Sequence, residues 1–312
     1  MAKTREIRKR IGSVRTIRKI THTMERVAQS KSMKLTGRFD AARSFRADLL
    51  RLLPEALGAA PGTLLSTQEL VRHPLGAVRL PVKRVLLFCV TSSRGLCGGY
   101  NSRVIQAVEA RVAGLMGEGK EPVLAVVGRK GLAYFRYHQR AVALPVPDAD
   151  ENVPFARIGE VAQEIIDLYS RKEIDEVEVV STHLRTRVQQ EVSRVSLLPY
   201  RPETGTGAAA APGPAPAGPA LQPDGSPVYL VEPNRPDVLA ALLPLLVKAG
   251  LFCLVLEAML CEQAQRTLAM RSASDNADAM TKKLTRTYNR ARQSQITNEM
   301  IEIISGSEGG RS

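Results

Sequence analysis

The stretch EIRKRIGSVRTIRKITHTMERVAQSK, residues 6–31, decides the fold because it belongs to a long segment without proline, in which Gly12 and Gly37 are the only glycines. No proline occurs in residues 3–53, and Pro54 and Gly58 end the pattern. Apolar side chains recur every three or four residues, at Ile7, Ile11, Val14, Ile17, Ile20, Met24 and Val27. This spacing predicts a helix with one narrow apolar stripe, and the consecutive steps of three predict a locally irregular supercoil.

Fifty helical residues would extend about 75 Å, which is too long for burial inside a small domain. The helix must therefore project from the fold or pair with another long helix. A suitable partner is residues 251–305, which contain no proline or glycine before Gly306. Their stripe is formed by Leu256, Leu260, Ala264, Leu268, Ala273, Ala277, Met280, Leu284, Tyr288, Ala291, Ile296, Met300, Ile301 and Ile304. Two such helices predict an antiparallel coiled coil, and two independent surface helices are the alternative.

The middle of the chain predicts an α/β domain of Rossmann-like type. Short apolar runs of strand length occur at residues 83–91, 122–127, 176–182 and 188–198. Helical patterns follow at 102–116, 129–138 and 154–171. This alternation indicates a mostly parallel sheet, in which the last two strands can be antiparallel.

The predicted organisation has six parts. Residues 201–227 are rich in proline, alanine and glycine, so we expect a disordered insertion there. The parts are an N-terminal coiled-coil helix at 1–58, the α/β domain at 80–200, the insertion at 201–227, a return strand of that domain at 228–234, a C-terminal coiled-coil helix at 236–305 and a flexible tail at 306–312.

Positive charge is concentrated at the N-terminus. The formal net charge is +13, and the first 51 residues contribute +11 of it, with 15 Lys/Arg and four acidic residues. A basic terminal segment predicts an acidic partner, which can be nucleic acid, anionic lipid or an acidic protein surface. A solvated charged face is equally compatible with this pattern, because it offers no aromatic side chains for stacking on bases.

Cysteine and hydropathy patterns exclude several classes of protein. The cysteines, Cys89, Cys97, Cys253 and Cys261, form no CxxC pair, so we expect buried reduced thiols rather than a zinc site. The N-terminus lacks the apolar region of a signal peptide. The longest apolar stretch, residues 238–260, is broken by proline, lysine, glycine and glutamate, so a membrane span is not expected.

A glycine-rich stretch, RGLCGGYN at residues 94–101, follows a predicted strand and opens a predicted helix. Phosphate-binding loops occupy this position in nucleotide-binding folds, but neither their lysine motif nor G-x-G-x-x-G is present. A tight strand-to-helix turn is the simpler interpretation. Cys97 could act as a nucleophile, but the sequence places no base beside it, so an inert thiol is favoured.

Four segments carry a resemblance to a known family. They are residues 6–31, TSSRGLCGGYNS at 91–102, RTLAMRSASDNADAM at 266–280 and YNRARQSQITNEMIEIISG at 288–306. Together they resemble the gamma subunit of F-type ATP synthase. The resemblance implies a central rotor shaft whose paired helices stand inside the hexamer of alpha and beta subunits. Its α/β domain would rest on the epsilon subunit and the ring of c subunits, and it would have no catalytic activity and no cofactor.

The resemblance also assigns roles to individual residues. Arg8 and Lys9, on the basic helix, would face acidic loops of the beta subunits. Arg292 and Gln293 match a pair that contacts a beta catch loop, and Arg266 matches an arginine facing the acidic lever. Cys97 matches a position against that lever, and Met24 matches a methionine near the bearing. The residues that would seat the tip in an apolar sleeve are Ile296, Met300, Ile301 and Ile304.

Some features depart from the family pattern. Ser93 stands where aspartate is frequent, Gly250 predicts a kink in the second helix, and the 201–227 insertion is atypical. No cysteine lies between Cys97 and Cys253, so the redox control of plastid relatives is not expected. The resemblance implies a peripheral location on the cytoplasmic side of a bacterial membrane, with indirect membrane contact through the c-ring and no nucleic acid as partner. A basic coiled-coil nucleic-acid-binding protein is the alternative.

Overall fold

The computed structural model describes residues 2–56, 67–147, 149–185, 189–201 and 232–309. Except for Arg201, the predicted insertion lies outside the described residues, as do the first four residues of the predicted return strand. Its last three residues, 232–234, are irregular rather than extended.

The helices and strands alternate through the middle of the chain. The helices are α1 (Ala2–Ala56), α2 (Thr67–Arg72), α3 (Tyr100–Gly117), α4 (Arg129–Tyr137), α5 (Phe155–Ser170) and α6 (Arg235–Gly309). The strands are β1 (Arg84–Val90), β2 (Glu121–Val127), β3 (Val142–Val146), β4 (Glu176–Leu184) and β5 (Gln190–Leu198).

The chain divides into two compact units, and α1 and α6 each contribute to both. We call Met1–Ser30 with Ala264–Ser312 the helical unit, and Lys31–Gln263 the sheet unit. The helical unit contains the N-terminal part of α1 and the C-terminal part of α6. The remaining elements belong to the sheet unit.

The sheet unit contains a five-stranded sheet in the order β3-β2-β1-β4-β5. Its first four strands are parallel, and β5 is antiparallel to β4. The central strand β1 is buried on both faces from Val85 to Val90. Its continuous apolar sequence is typical of a parallel strand covered by helices on both sides. The predicted Rossmann-like α/β class, with a mostly parallel sheet and long terminal helices, is confirmed.

Each face of the sheet has its own core. One core joins side chains of α3 and α4 to Val85, Leu87 and Val180. The other joins α5 and the parts of α1 and α6 in this unit to Leu86 and Phe88. By length and composition, α6 contains one stretch apolar enough to cross a membrane. Much of that stretch belongs to the second core, which explains its apolar composition without a bilayer.

The bounds of α6 differ from the predicted bounds at its C-terminus. The helix begins where Asn234 accepts a hydrogen bond from the Asp237 backbone N–H at 2.9 Å, as an N-terminal cap does. Pro244 and Gly250 lie inside the helix. It continues through Gly306 to Gly309, so the predicted tail at 306–312 is wrong for residues 306–309. A glycine inside a helix costs about 1 kcal/mol, which weakens the helix without ending it.

Two elements were not predicted from the sequence. Strand β3 is short, carries Pro145 and forms an edge of the sheet, where a missing backbone donor is tolerated. Helix α2 has only six residues, and such a short segment gives no clear periodic pattern.

Candidate functional site

In the helical unit, α1 contacts α6 along a strict heptad. The α1 positions alternate in steps of four and three residues: Ile7, Ile11, Val14, Arg18, Thr21, Glu25 and Ala28. All except Arg18 are buried or half-buried. We call this row the seam. Its average spacing of 3.5 residues is the repeat of a left-handed coiled coil.

The matching row on α6 has the same repeat. Its buried or half-buried members are Thr267, Met270, Ser274, Ala277, Thr281, Leu284, Tyr288, Ala291 and Gln295. Two contacts fix the direction of the pair. Arg18 Nε lies 2.5 Å from Asp278 Oδ1, and Thr4 Oγ1 donates to Gln295 Oε1 at 3.0 Å. Later residues of α1 meet earlier residues of α6, so the predicted antiparallel coiled coil is confirmed.

The predicted apolar stripe leaves the seam after Val14, and this part of the prediction is wrong. Ile17, Ile20 and Val27 are each about half exposed, at 52%, 50% and 50%, and Met24 is 39% exposed. Each lies one residue before a seam position, which is about 100° around the helix. The buried positions of the two rows include small side chains such as Ala28 and Ala277. We call Ile17, Ile20, Met24 and Val27 the exposed apolar face.

Nearly all of the sequence-predicted site residues lie in the helical unit. Arg8, Lys9, Arg292, Gln293, Ile296, Met300 and Ile301 are exposed, whereas Met24 is partly exposed and Arg266 is half-buried. Ile304 lies within α6, but its side chain is outside the described part of the chain. Cys97 alone belongs to the sheet unit.

Cys97 lies in the glycine-rich turn between β1 and α3, where Asn101 organises the backbone. The Asn101 side chain accepts from the Ser92 N–H at 2.9 Å and donates to Ser92 Oγ at 2.7 Å and Cys97 Sγ at 3.3 Å. Cys97 is only 2% exposed, whereas its neighbour Leu96 is 61% exposed. The turn requires Gly98, which has φ +58°. The thiol is therefore an internal group of the turn, and Leu96 is its outward-facing apolar side chain.

The turn lies at the carboxyl end of β1, beside the point where the strand order reverses. Ligands of doubly wound folds bind in the crevice at this point. Here Cys97 and Tyr100 pack with Cys261 of α6, and Tyr100 Oη donates to Val90 O at 3.2 Å. Burial raises the pKa of Tyr100 well above its ordinary value and also raises the pKa of Cys261. The protein's own side chains thus occupy the crevice, which argues against nucleotide binding there.

A second polar contact joins β4 to α6 near this crevice. His183 Nδ1 lies 2.9 Å from Glu257 Oε2, and the Leu184 N–H donates to Glu257 Oε1 at 2.9 Å. No sequence pattern reveals this pair, because the two side chains are 74 residues apart and belong to no local motif. The described residues contain no group of three side chains that could hold a metal ion.

These features define a class of protein: an antiparallel coiled coil whose two helices continue into a Rossmann-like unit with a filled ligand crevice. The exposed surfaces of such a protein carry its function. The family model described as ATP synthase matches residues 3–309. The chain belongs to the ATP synthase gamma chain family, because relatives of that name are 32%, 34% and 36% identical to it over almost its whole length.

Relatives from several bacteria match over nearly their whole length. The ATP synthase gamma chain of Leptospira biflexa is 32% identical over 309 residues, covering 99% of both chains. That of Saccharopolyspora erythraea is 34% identical and covers 99% of this chain and 97% of its own. That of Frankia casuarinae is 36% identical and covers 97% and 96%.

Solved structures share the fold at low sequence identity. A chain of the Euglena gracilis mitochondrial ATP synthase, from its OSCP/F1/c-ring assembly, aligns with a TM-score of 0.65 at 17% identity. The alignment covers 99% of this chain and 94% of that one. A chain from the rotor of the same complex aligns with a TM-score of 0.61 at 18% identity, over 95% and 99%.

Proposed function

We propose that this chain turns inside a hexamer of alpha and beta subunits and couples transmembrane ion flow to ATP synthesis or hydrolysis. It contributes no catalytic group of its own. The observation that carries this proposal is the exposed apolar face. A coiled coil that already buries a complete seam has no internal use for four further apolar side chains in a row. Such a face is typical of a surface that other subunits cover.

The charged and polar side chains of the helical unit suit a sliding contact with beta subunits. Arg8 and Lys9 are exposed near the start of α1, and Arg292 and Gln293 are exposed near the end of α6. Exposed ion pairs contribute only about 0–1 kcal/mol each, so they can break and re-form as a shaft turns. We assign Arg8, Lys9, Arg292, Gln293 and half-buried Arg266 to beta-subunit contacts.

The apolar residues near the end of α6 suit a bearing. Ile296, Met300 and Ile301 are about half exposed in the helical unit. An apolar sleeve would cover them without fixing their rotation, because hydrophobic burial is not directional. We place Ile304 in the same contact on its sequence position, and Met24 in a bearing contact from the exposed apolar face.

The position of Cys97 supports a modified assignment for the glycine-rich turn. Because the Cys97 side chain is buried, it cannot itself contact a beta subunit in this conformation. We assign that contact to the neighbouring Leu96, whose side chain points into solvent. Cys97 would then support the turn from inside, through its contact with Asn101.

The remaining partners follow from family membership. The sheet unit would contact the epsilon subunit and the ring of c subunits, so membrane association would be peripheral and indirect. The similar gamma chains come from bacteria, which supports a location on the cytoplasmic side of a bacterial membrane.

The test is a double variant, Arg292→Ala with Gln293→Ala, in the assembled ATP synthase. Losing the hydrogen bonds of both side chains removes about 1–2 kcal/mol of contact, so we expect roughly tenfold slower ATP synthesis in membrane vesicles. The matched control is Arg271→Ala with Ser272→Ala, which changes two exposed residues of the same helix. ATP synthesis by the double variant at the parent rate would contradict the assignment.

A further inference from the structure

A short segment of the sheet unit, residues 149–155, connects β3 to α5 and is held by side chains from several elements. Two charged side chains of α1 are among them. Arg38 donates from Nη2 to Val153 O at 2.5 Å and from Nη1 to Glu151 O. Lys31 Nζ forms an ion pair with the Glu151 carboxylate. Helix α1 therefore contacts both the backbone and a side chain of this segment.

The contacts of Lys31 and Arg38 hold the segment more rigidly than an exposed surface ion pair would. The planar guanidinium of Arg38 spans two carbonyls with two N–H groups, and a lysine offers no such fork. The Lys31 and Glu151 side chains are only 24% and 21% exposed, so solvent screens their attraction weakly. Burial acts to raise the pKa of Glu151, but the Lys31 hydrogen bond, a backbone hydrogen bond and the charges of Lys31 and Arg94 together lower it.

The same segment is tied to the sheet and to α6. Ser93, just beyond the end of β1, has its Oγ 3.2 Å from Ala149 O and 3.2 Å from Pro147 O. The Phe155 ring packs edge-on against Phe45 of α1, at 6.5 Å between centroids, and Phe252 of α6, at 5.3 Å. Residues 149–155 thus form a strap that joins the end of the central strand to both long helices.

We propose that Lys31 and Arg38 are positioning residues that transmit torque between the sheet and α1 through this strap. The proposal rests on the proposed function, since only a rotating subunit is loaded in this way. Helix α1 leaves the helical unit at Ser30, and Lys31 is its first residue in the sheet unit. The contacts of Lys31 and Arg38 begin at the first residue of α1 in the sheet unit. They therefore resist twisting of this part of α1 against the sheet.

The experiment compares variants in the assembled ATP synthase, using inverted membrane vesicles. Lys31→Gln with Arg38→Gln removes the ion pair and the fork while leaving the apolar cores intact. We expect ATP-driven ion pumping per ATP hydrolysed to fall roughly twofold or more, because α1 loses both charge-assisted contacts that hold it against residues 149–155. Lys31→Arg with Arg38 intact should retain the parent ratio. The matched control is Arg51→Gln, because Arg51 pairs with Asp48 of its own helix, at 3.0 Å.

The pumping-to-hydrolysis ratio separates a positioning role from a merely structural one. A loss of fold lowers the amount of complex and both rates together, whereas slippage lowers pumping alone. Should the double variant fail to assemble, Glu151→Gln replaces it, because this change removes the charge and keeps both carbonyls that Arg38 contacts. We expect the same fall in the ratio, of smaller size.

A parent-like ratio in the assembled double variant, or in Glu151→Gln where that replaces it, overturns the proposal. This outcome differs from failure of the proposed function, which the Arg292 and Gln293 variant tests. If that variant slows ATP synthesis while the strap variants pump normally, the rotor function stands and the strap is only structural. If neither has an effect, both proposals fail.

Discussion

At the scale of single residues, the least expected feature of the sheet unit is a carboxylate inside a strand. Glu178 is the third residue of β4 and is only 6% exposed. Arg111 of α3 binds it with two hydrogen bonds, Nε to Oε2 at 2.8 Å and Nη2 to Oε1 at 2.6 Å. The bond to Glu178 raises the pKa of Arg111. The paired geometry satisfies both carboxylate oxygens, so the pair fixes α3 against β4.

Removing only the arginine should be costly. Arg111→Met leaves a buried carboxylate with Arg194 as its nearest remaining cation, at 3.5 Å. We expect the free energy of unfolding of the full chain to fall by about 3 kcal/mol, measured by urea denaturation. The double variant Arg111→Met with Glu178→Leu should recover most of this loss, because no buried charge remains. A cost below about 1 kcal/mol for the single variant would show that water or Arg194 already compensates the carboxylate.

Residue properties differ in how far the sequence predicts them. The expectation of buried thiols was correct, since the described chain has all four cysteines free and buried. Burial raises the pKa of Cys89 to about 12 and of Cys253 to about 11. Composition predicts which side chains are buried, but it does not predict which residues they contact. Nothing local in the sequence pairs Arg38 with Val153 or His183 with Glu257, because these contacts depend on how distant segments pack.

At the scale of elements, the junction between β2 and α4 depends on one glycine. Gly128 has φ +91°, and a Cβ there would lie 2.2 Å from the backbone oxygen of Thr91. That backbone belongs to the turn that follows β1, so it has little freedom to move. At Gly128, the φ is therefore unfavourable for other residues, and the backbone of another segment of the chain lies close.

Gly128→Ala should destabilise the full chain by at least about 3 kcal/mol, since both the φ and the contact oppose it. The matched control is Gly119→Ala, where φ is +70° and a Cβ would meet nothing within 4 Å. Gly119→Ala introduces the backbone strain without the steric clash, so it should lower the free energy of unfolding by about 1 kcal/mol. Thermal unfolding followed by circular dichroism measures both. Equal costs would show that the β1 turn moves to accommodate the alanine.

The helical unit shows why element faces are harder to predict than element bounds. The apolar residues of α1 predicted a helix, and α1 is one. They did not predict its contact face, because Thr21 and Glu25 occupy the seam while Ile17 and Ile20 lie beside it. A hydrophobic pattern cannot distinguish a face that packs within the chain from one covered by other subunits, because both bury apolar area.

At the scale of the whole molecule, the exposed apolar face affects how the chain behaves in solution without other subunits. The exposed apolar face places Ile17, Ile20 and Val27, each about half exposed, in one row with Met24. Without its partners, such a row exposes a contiguous apolar patch to water, which favours self-association. We therefore expect the isolated full chain to self-associate in sedimentation velocity experiments at micromolar concentration.

Polar substitution of this row should weaken self-association without unfolding the helix. Changing Ile17, Ile20 and Val27 to threonine removes about 2 kcal/mol of hydrophobic contact, which corresponds to a roughly thirtyfold weaker association. The same variant should assemble less completely with alpha and beta subunits, because the same surface serves both contacts. The matched control is Ile11→Thr with Val14→Thr, which changes buried seam positions and should lower the thermal stability of the coiled coil instead. If the triple variant lost as much thermal stability as the control does, the row would belong to the seam, and the distinction between the two faces would be wrong.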